Sequence, residues 1–282
     1  MAWLTLCIVI AVAGLAGLVA SVNSVRFGWA VAREADGMWG IAEEARRIDR
    51  ARLELLPAPV RRYLELALGE RKRAPRALRM RHAGSFRPKL DGPWLRIRGE
   101  EYFNADPPGF VWWGRVRVAP GVWIDARDRS VAGAGQMFVR AESTFTLANS
   151  RGPELDESAL HRLLGELVWL PTALLDERHV TWTAIDDRHA GATLRVAGIE
   201  VSGSFEFGDD GLPSKFSALR RADLGGGQSV LTPFTGECRD YRKVEGLLVP
   251  HELTAYWHIS GKPVAYARFQ VEEMEYDAKA TF

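Results

Sequence analysis

The sequence is poor in cysteine and in net charge, and each shortage excludes a class of protein. Only 2 of the 282 residues are Cys, too few for a fold stapled by disulfides. Cys7 lies in an apolar N-terminal run and Cys238 far down the chain, so no bond between them is expected. The 37 Lys and Arg residues balance 36 Asp and Glu residues. A net charge of +1 gives nucleic acid no general attraction, and no nucleic-acid partner is predicted.

Motifs of the common enzyme and cofactor sites are missing as well. The chain has no CxxC pair, no HExxH and no GxSxG elbow. His251 and His258 have opposite parity on a predicted strand and point to opposite faces, so no metal site is predicted. The glycine-rich stretches 133–136 and 225–228 lie between predicted strands and are not followed by a helix, which indicates turns and not phosphate loops. No cofactor is expected.

An uncharged N-terminal segment is the first feature that the sequence does contain. Residues 1–25 carry no charged side chain, and Ala2–Ala20 is almost wholly apolar, long enough to span a bilayer as a helix of about 20 residues. A retained membrane anchor is favoured over a cleaved signal peptide, because no Lys or Arg precedes the run and the run is long for a signal. Arg26 and Arg33 follow it and favour a cytoplasmic soluble part, although the side stays open.

Two helices are predicted between this anchor (1–25) and a β domain (76–282). Met38, Ile41, Ala45 and Ile48 recur at helical spacing and predict a juxtamembrane helix. Leu53–Leu68 predicts a second helix, with Pro57 and Pro59 at its start. Residues 69–75 form a solvated basic loop that completes the linking region 26–75.

From Leu78 onward the apolar period changes to two, as in strands. The predicted strands are Leu78–Arg87, Trp94–Phe103, Gly109–Val118, Val122–Val131, Gln136–Leu147, His179–Asp187, Ala192–Val196, Ile199–Phe207, Lys215–Ala222, Ser229–Arg242, Val249–Ile259 and Val264–Tyr276. A helix at Asp156–Leu170 interrupts them, capped by Asp156 or Ser158 and ended by Pro171. Its apolar stripe is Leu160, Leu163, Leu164 and Leu167. The expected fold is mainly β (α+β), a large curved antiparallel sheet packed on this central helix; two packed β units are the alternative.

Aromatic side chains suggest an apolar ligand surface between sheet and helix. The chain has 10 Trp, and alternation places Trp112 and Trp113 on opposite faces of one strand. Trp112, Trp113, Trp169, Pro171 and Trp182 are the candidate ligand-binding residues. The alternative is a filled core, which is favoured for most of them because aromatic side chains are usually buried. Trp169 in particular is expected to be buried where the helix meets the sheet.

Carboxylates near the same block are the weak candidates for catalysis. Asp186 and Asp187 are adjacent, so on a strand they point apart and cannot form an acid–base pair with each other. Glu166 could pair with a carboxylate from another strand, which the sequence cannot place. Solvated strand ends and ion pairs with the many Arg residues are the alternative reading of all three.

The block Trp169-Leu-Pro-Thr-Ala-Leu-Leu175, with Pro107–Trp112 before it and Val180–Trp182 after it, resembles an uncharacterised family of bacterial and archaeal proteins, a domain of unknown function. The resemblance covers roughly residues 50–277 and implies no activity and no site residues. A looser resemblance, at the level of the fold, is to the lipoprotein-carrier half-barrel. That resemblance implies a curved antiparallel sheet closed by helices around a hydrophobic cavity.

Three functions remain open at this stage. The leading hypothesis is a membrane-tethered β-rich domain that binds a lipid-like or other apolar ligand between sheet and helix. The first alternative is a hydrolase that uses the carboxylates near the block at 169–175. The second alternative is a structural or protein-interaction domain at the membrane.

Overall fold

The computed structural model describes residues 1–41, 46–223 and 229–282. The described chain contains three α-helices, α1 (Ala2–Gly40), α2 (Ala58–Leu68) and α3 (Pro153–Glu166). Its strands are β1 (Ala77–Phe86), β2 (Leu95–Ala105), β3 (Pro108–Ala119), β4 (Val122–Val131), β5 (Ala134–Ala141), β6 (Phe145–Ser150), β7 (Val180–Ala184), β8 (His189–Val196), β9 (Ile199–Phe207), β10 (Pro213–Asp223), β11 (Ser229–Val244), β12 (Leu247–Ile259) and β13 (Lys262–Tyr276). Short 3-10 turns lie at Arg50–Leu55, Leu167–Trp169 and Ala173–Leu175.

All described strands belong to one antiparallel sheet. Its order is β6-β5-β4-β3-β2-β1-β13-β12-β11-β10-β9-β8-β7, so nearly every strand pairs with its neighbour in sequence and β1 pairs with β13. The sheet curls around α3, because this helix packs on β3, β4 and β5 and also on β8, β9 and β10. The β4–β5 and β8–β9 turns meet: a Cβ on Gly133 would lie 2.9 Å from the Ala197 Cβ. The predicted curved sheet on a central helix is confirmed.

The concave face beneath α3 is a filled core. Leu160, Leu163, Leu164 and Leu167 have no exposed surface, which confirms the predicted apolar stripe of the helix. The 3-10 turns after α3 add Trp169 and further apolar side chains to the same core, and α2 covers its far end. The helix therefore forms in this position because the sheet buries its apolar side.

Helix α1 packs on the opposite, convex face of the sheet. Phe27, Val31, Ala35 and Met38 join Tyr102 and others in a second apolar cluster. Trp39 Nε1 donates a hydrogen bond to Phe103 O at 3.0 Å. The helix thus continues without a break past residue 25, the predicted end of the anchor, because its C-terminal half has a sheet surface to cover.

The predicted juxtamembrane helix at Met38–Ile48 is wrong in its described part. Met38 belongs to α1, residues 42–45 lie outside the described residues, and the chain after Arg46 is extended. Ile48 N donates to Lys72 O at 3.0 Å, and Ala74 N donates to Arg46 O at 2.8 Å. Backbone pairing with the loop before β1 replaces the helical ladder there. The predicted turn at 225–228 also lies outside the described residues.

Other boundaries differ as well. Helix α3 begins at Pro153, after the N-cap residue Gly152, since proline suits a first helical turn. Asp156 is therefore inside the helix and accepts a hydrogen bond from Gly135 N at 2.7 Å. The predicted strand Gln136–Leu147 is two strands, because Glu142 and Ser143 have positive φ and turn the chain. The helical run ends just before Pro171 as predicted, but its last part, Leu167–Trp169, is a 3-10 turn. The predicted helix Leu53–Leu68 is α-helical only from Ala58, after Pro57, and its first residues lie in a 3-10 turn.

Candidate functional site

A group of largely buried charged side chains lies between α3 and the concave face of the sheet. Arg162 of α3 is at its centre: Nη2 donates to Glu101 Oε1 of β2 at 2.7 Å, and Nη1 donates to Asp128 Oδ2 of β4 at 2.9 Å. Its Nε donates to Glu166 Oε1, one helical turn further on, at 2.8 Å. One guanidinium therefore holds three carboxylates from three elements. We call these four residues the Arg162 cluster.

The Arg162 cluster has more negative than positive charge, and burial makes this imbalance costly. The side chain of Glu101 is 2% exposed and that of Asp128 is 9% exposed. Burial raises the pKa of Glu101 well above its usual value, and the charge of Glu166 raises it further. Burial also raises the pKa of Glu166, against the opposing charge of Arg162. Both glutamates therefore take up a proton more readily than a free carboxyl group does.

Arg220 of β10 is a second buried guanidinium near the cluster. It is 7% exposed, and its Nη2 donates to Ser158 O of α3 at 3.2 Å. Its Cζ lies 4.4 Å from the centroid of the Phe234 ring and 5.6 Å from that of Trp257, in the range of cation–π contacts. Burial lowers the pKa of Arg220. Among the described residues it forms no ion pair, and its Nε has no hydrogen-bond partner.

The interior offers further polar atoms without partners in the described chain. Burial lowers the pKa of His82 to about 3, so this imidazole is neutral. Its Nε2 accepts from Trp112 Nε1 at 2.8 Å, which leaves the hydrogen on Nδ1. Nδ1 has no acceptor, and Asp128 Oδ1 and Glu166 Oε2 have no donor. Donors and acceptors are thus both available beneath α3, which suits the polar end of a ligand.

Four aromatic side chains continue the concave face beyond Arg220. Phe234 and Trp257 have ring centroids 5.3 Å apart, and Trp257 stacks on Tyr266 at 5.8 Å. Phe86 meets Tyr266 edge-on at 6.0 Å. Phe234 is buried, whereas the other three are only half-buried. We call Phe86, Phe234, Trp257 and Tyr266 the mouth aromatics, because they lie where β1 ends and β13 begins.

The structure separates the five predicted ligand-binding residues. Trp112 faces the concave side, where Arg162 lies 5.0 Å from its ring. Trp113 faces the convex side and packs on Phe27 of α1 at 6.1 Å. Trp169 is 2% exposed and donates from Nε1 to Pro250 O at 2.9 Å, so its predicted burial is confirmed.

The other two lie in the same region of the core. Pro171 is buried. Trp182 is half-buried and donates from Nε1 to Leu174 O at 2.8 Å.

The three predicted catalytic carboxylates are not brought together. Glu166 lies in the Arg162 cluster, whereas Asp186 and Asp187 lie on the exposed turn between β7 and β8. Asp186 Oδ1 accepts from Arg188 N and from His189 N, each at 2.8 Å, and these backbone hydrogen bonds lower its pKa. The partner of Glu166 is Glu101, which the sequence reading missed.

A second polar group, also missed, lies at the far end of the sheet. Asp106, Asp176 and His179 are half-buried and place one potential ligand atom each within 4.8 Å of the others. Arg178 already forms ion pairs with both Asp106 and Asp176, and His179 Nε2 lies 2.9 Å from Asp106 Oδ1. A metal ion would have to displace this arginine. Arg46 also lies 3.6 Å from Asp106, so two arginines offset the two aspartates. The group ties the turn before β7 to the β2–β3 turn.

One helix among the described residues, α1, is long and apolar enough to cross a membrane. A signal sequence can meet the same criteria of length and composition, so the helix alone does not decide between an anchor and a signal. What the structure adds is that residues 27–39 of the same helix form part of the folded domain.

The fold defines a mainly β domain of half-barrel type, wrapped on one helix. The chain belongs to the Family of unknown function (DUF6544), whose model matches residues 46–269. The predicted membership of an uncharacterised family is confirmed. No curated protein matches the sequence.

Among solved structures, the chain is similar to a LolA superfamily protein from Nitrosomonas europaea, known from a crystal structure. The identity is 11% and the TM-score 0.41, over 78% of this chain and 93% of that chain. At that level no property of the neighbour is carried over to this protein.

Proposed function

We propose that the protein is a membrane-tethered binding domain for a lipid-like ligand, held on the concave face of its sheet at the mouth aromatics. The observation that carries the proposal is the incomplete cover of these side chains. Phe86, Trp257 and Tyr266 are only half-buried at the concave mouth, whereas the leucines of α3 on the same face are fully buried. Open aromatic surface beside a closed core is the usual form of an apolar ligand site.

The neighbouring charges give the ligand a direction. An apolar chain would lie on the mouth aromatics, and its polar end would meet Arg220 and the Arg162 cluster. The unpartnered Nε of Arg220 and the unpartnered oxygens of Asp128 and Glu166 supply donors and acceptors for that end. The proposed ligand site therefore differs from the one predicted at Trp169 and Pro171, because these two residues are part of the filled core. It lies at the opposite end of the concave face.

Tethering is supported by the way that α1 meets the domain. Ala20 is 5% exposed and Phe27 is 6% exposed, so the folded domain covers the helix from residue 20 onward. Cleavage directly after the apolar run Ala2–Ala20 would remove the contact of Ala20 but leave the packing of Phe27 and the residues after it in place. A retained anchor preserves both.

The test is displacement of a fluorescent fatty acid from the full chain in detergent micelles. Trp257→Ala or Tyr266→Ala removes apolar contact area with the ligand, which should weaken binding by about 1.5–3 kcal/mol. The Kd of the probe should then rise about tenfold or more. The control is Ile185→Ala, because Ile185 is 58% exposed on the β7–β8 turn. Equal probe affinity in all four proteins, with unchanged melting, would exclude binding at the mouth.

A hydrolase is the second candidate, and the raised pKa values of Glu101 and Glu166 favour it. A carboxyl group with a raised pKa can act as a general acid, with a second carboxylate close by as the base. An esterase, phosphatase and glycosidase screen should then find an activity that Glu166→Gln abolishes. Asp186→Asn is the matched control, because Asp186 lies on an exposed turn. An activity that survives Glu166→Gln rules out this version.

A further inference from the structure

The end of the sheet nearest the apolar run of α1 carries exposed apolar side chains. Val118 and Val122 flank the β3–β4 turn and are 45% and 40% exposed. Phe145 and Leu147 follow the β5–β6 turn and are 65% and 57% exposed. We call these four residues the apolar tips. Exposure of these four apolar side chains to water is unfavourable, and a group of them at one place often marks an interaction surface.

Contacts along the convex face show which residues of α1 lie level with the apolar tips along the helix axis. Helix and strand β3 run antiparallel: Arg115 donates to Ser24 Oγ at 2.7 Å, and a Cβ on Gly109 would lie 3.4 Å from Met38 Sδ. The helix rises about 1.5 Å per residue and the strand about 3.3 Å. Val118, three residues beyond Arg115, therefore lies about 10 Å further toward the N-terminus of α1. That is the level of about residue 17 of the helix.

The β5–β6 turn also lies beside the N-terminal half of α1, about 9 Å further toward its C-terminus than Val118. Asn23 Nδ2 donates to Thr144 Oγ1 at 3.1 Å, next to Phe145. Ala20 is the first buried residue of α1, so residues 2–19 extend beyond it by about 27 Å, and residues 2–16 extend beyond the level of Val118 by about 22 Å. The hydrocarbon core of a bilayer is about 30 Å thick. If this stretch spans the bilayer, its whole length is needed to cross the hydrocarbon core, so the folded domain lies directly at the membrane surface.

The charges beside the tips suit an anionic bilayer surface. Arg96, Arg98 and Arg117 are exposed on the convex face. Arg96 pairs in register with Arg117. Arg98 pairs with Arg115, whose charge is already offset by an ion pair with Asp125 at 2.8 Å. Like charges opposite each other repel, and headgroup phosphates between them would relieve the repulsion. Arginines beside apolar side chains are the composition of a membrane-surface site.

We propose that this end of the sheet rests in the surface of an anionic bilayer, with the apolar tips at the hydrocarbon boundary and Arg96 and Arg117 at the headgroups. The inference rests on the membrane anchor in the proposed function. It adds a fixed orientation: strand β1 ends and strand β2 begins at the same end of the sheet as the tips. The mouth aromatics, with Phe86 at the end of β1, therefore open toward the bilayer.

The test places a fluorescent label at single cysteines of the full chain in vesicles. The background is Cys7→Ser with Cys238→Ala, and the labelled sites are Phe145→Cys and Val118→Cys. Ile185→Cys is the control at the opposite end of the sheet, and Val12→Cys reports the anchor. The vesicles are phosphatidylcholine with or without phosphatidylglycerol, and a spin-labelled lipid serves as quencher.

Blue-shifted emission that the spin-labelled lipid quenches is expected at residues 118 and 145, and aqueous emission at 185. Phosphatidylglycerol should strengthen the shift, and Arg96→Gln with Arg117→Gln should abolish that dependence. Aqueous emission at 118 and 145 with a buried label at 12 overturns the inference and leaves the anchor standing. Shielding that the lipid does not quench also overturns it, since a second protein copy would then cover the tips. Aqueous emission at residue 12 as well refutes the anchor itself.

Discussion

Trp169 offers the most demanding test of the core beneath α3. Its indole is 2% exposed, lies 6.0 Å from the Phe103 ring and donates to Pro250 O at 2.9 Å. Trp169→Ala should lower the free energy of unfolding by about 3–5 kcal/mol, the range for a buried large aromatic. For a chain of this size, each kcal/mol corresponds to about 2–4 °C in Tm. A fall of about 6–20 °C is expected.

The hydrogen bond can be separated from the packing in the same experiment. Trp169→Phe keeps most of the ring but leaves the buried Pro250 carbonyl without its donor, which costs about 1–3 kcal/mol. Trp29→Ala is the control, because Trp29 is 66% exposed and its loss should change stability by no more than about 0.5 kcal/mol. Melting is followed by circular dichroism on the full chain in detergent. If Trp169→Ala melts together with Trp29→Ala, the indole does not hold this core, and the account of the block at 169–175 fails.

Three further predictions follow from the charged groups. Burial raises the pKa of Glu101 and Glu166 above 4.5 in the folded protein, so their contribution to stability is present at low pH and is lost as pH rises through the folded pKa values. Glu166→Gln should remove part of this loss of stability, up to about 1.4 kcal/mol per pH unit for one proton. The measurement is urea unfolding of both proteins at about pH 5 and pH 8. Arg162→Met should cost about 3–5 kcal/mol at neutral pH, because three buried carboxylates lose their cation, and a smaller cost at acidic pH is expected from the same titration. Zinc should not raise the Tm of the wild-type protein, because Arg178 holds Asp106 and Asp176; a rise that Asp176→Asn removes would show a metal site instead.

Most of the sheet could be predicted from the sequence, because alternation and turn residues are local signals. Strands β4 and β9 have the predicted bounds, Val122–Val131 and Ile199–Phe207. The predicted stop of the helical run at Pro171 is also local, since proline ends a helix by its own geometry. Strand β6 was missed because Glu142 and Ser143 adopt positive φ without a glycine.

The candidate site could not be predicted, because it depends on partners far apart in the chain. Arg162 and Glu166 have the spacing of an exposed helical ion pair. Only the curl of the sheet brings Glu101 and Asp128 to the same guanidinium. Arg220 follows the period of β10 and is one of many arginines, so nothing in the sequence singled it out. Trp257 and Tyr266 are only half-buried because α3 does not cover this part of the sheet, and that too depends on the tertiary fold.

Native mass spectrometry of the full chain, purified in mild detergent from a host with membranes, tests the central claim most directly. The account predicts an added mass of lipid size on the wild-type protein, identified as lipid after extraction. The same mass should be lost or strongly reduced in Trp257→Ala with Tyr266→Ala and retained in Ile185→Ala. A wild-type protein of bare polypeptide mass, or a lipid retained equally by the double variant, would contradict a ligand site at the mouth aromatics.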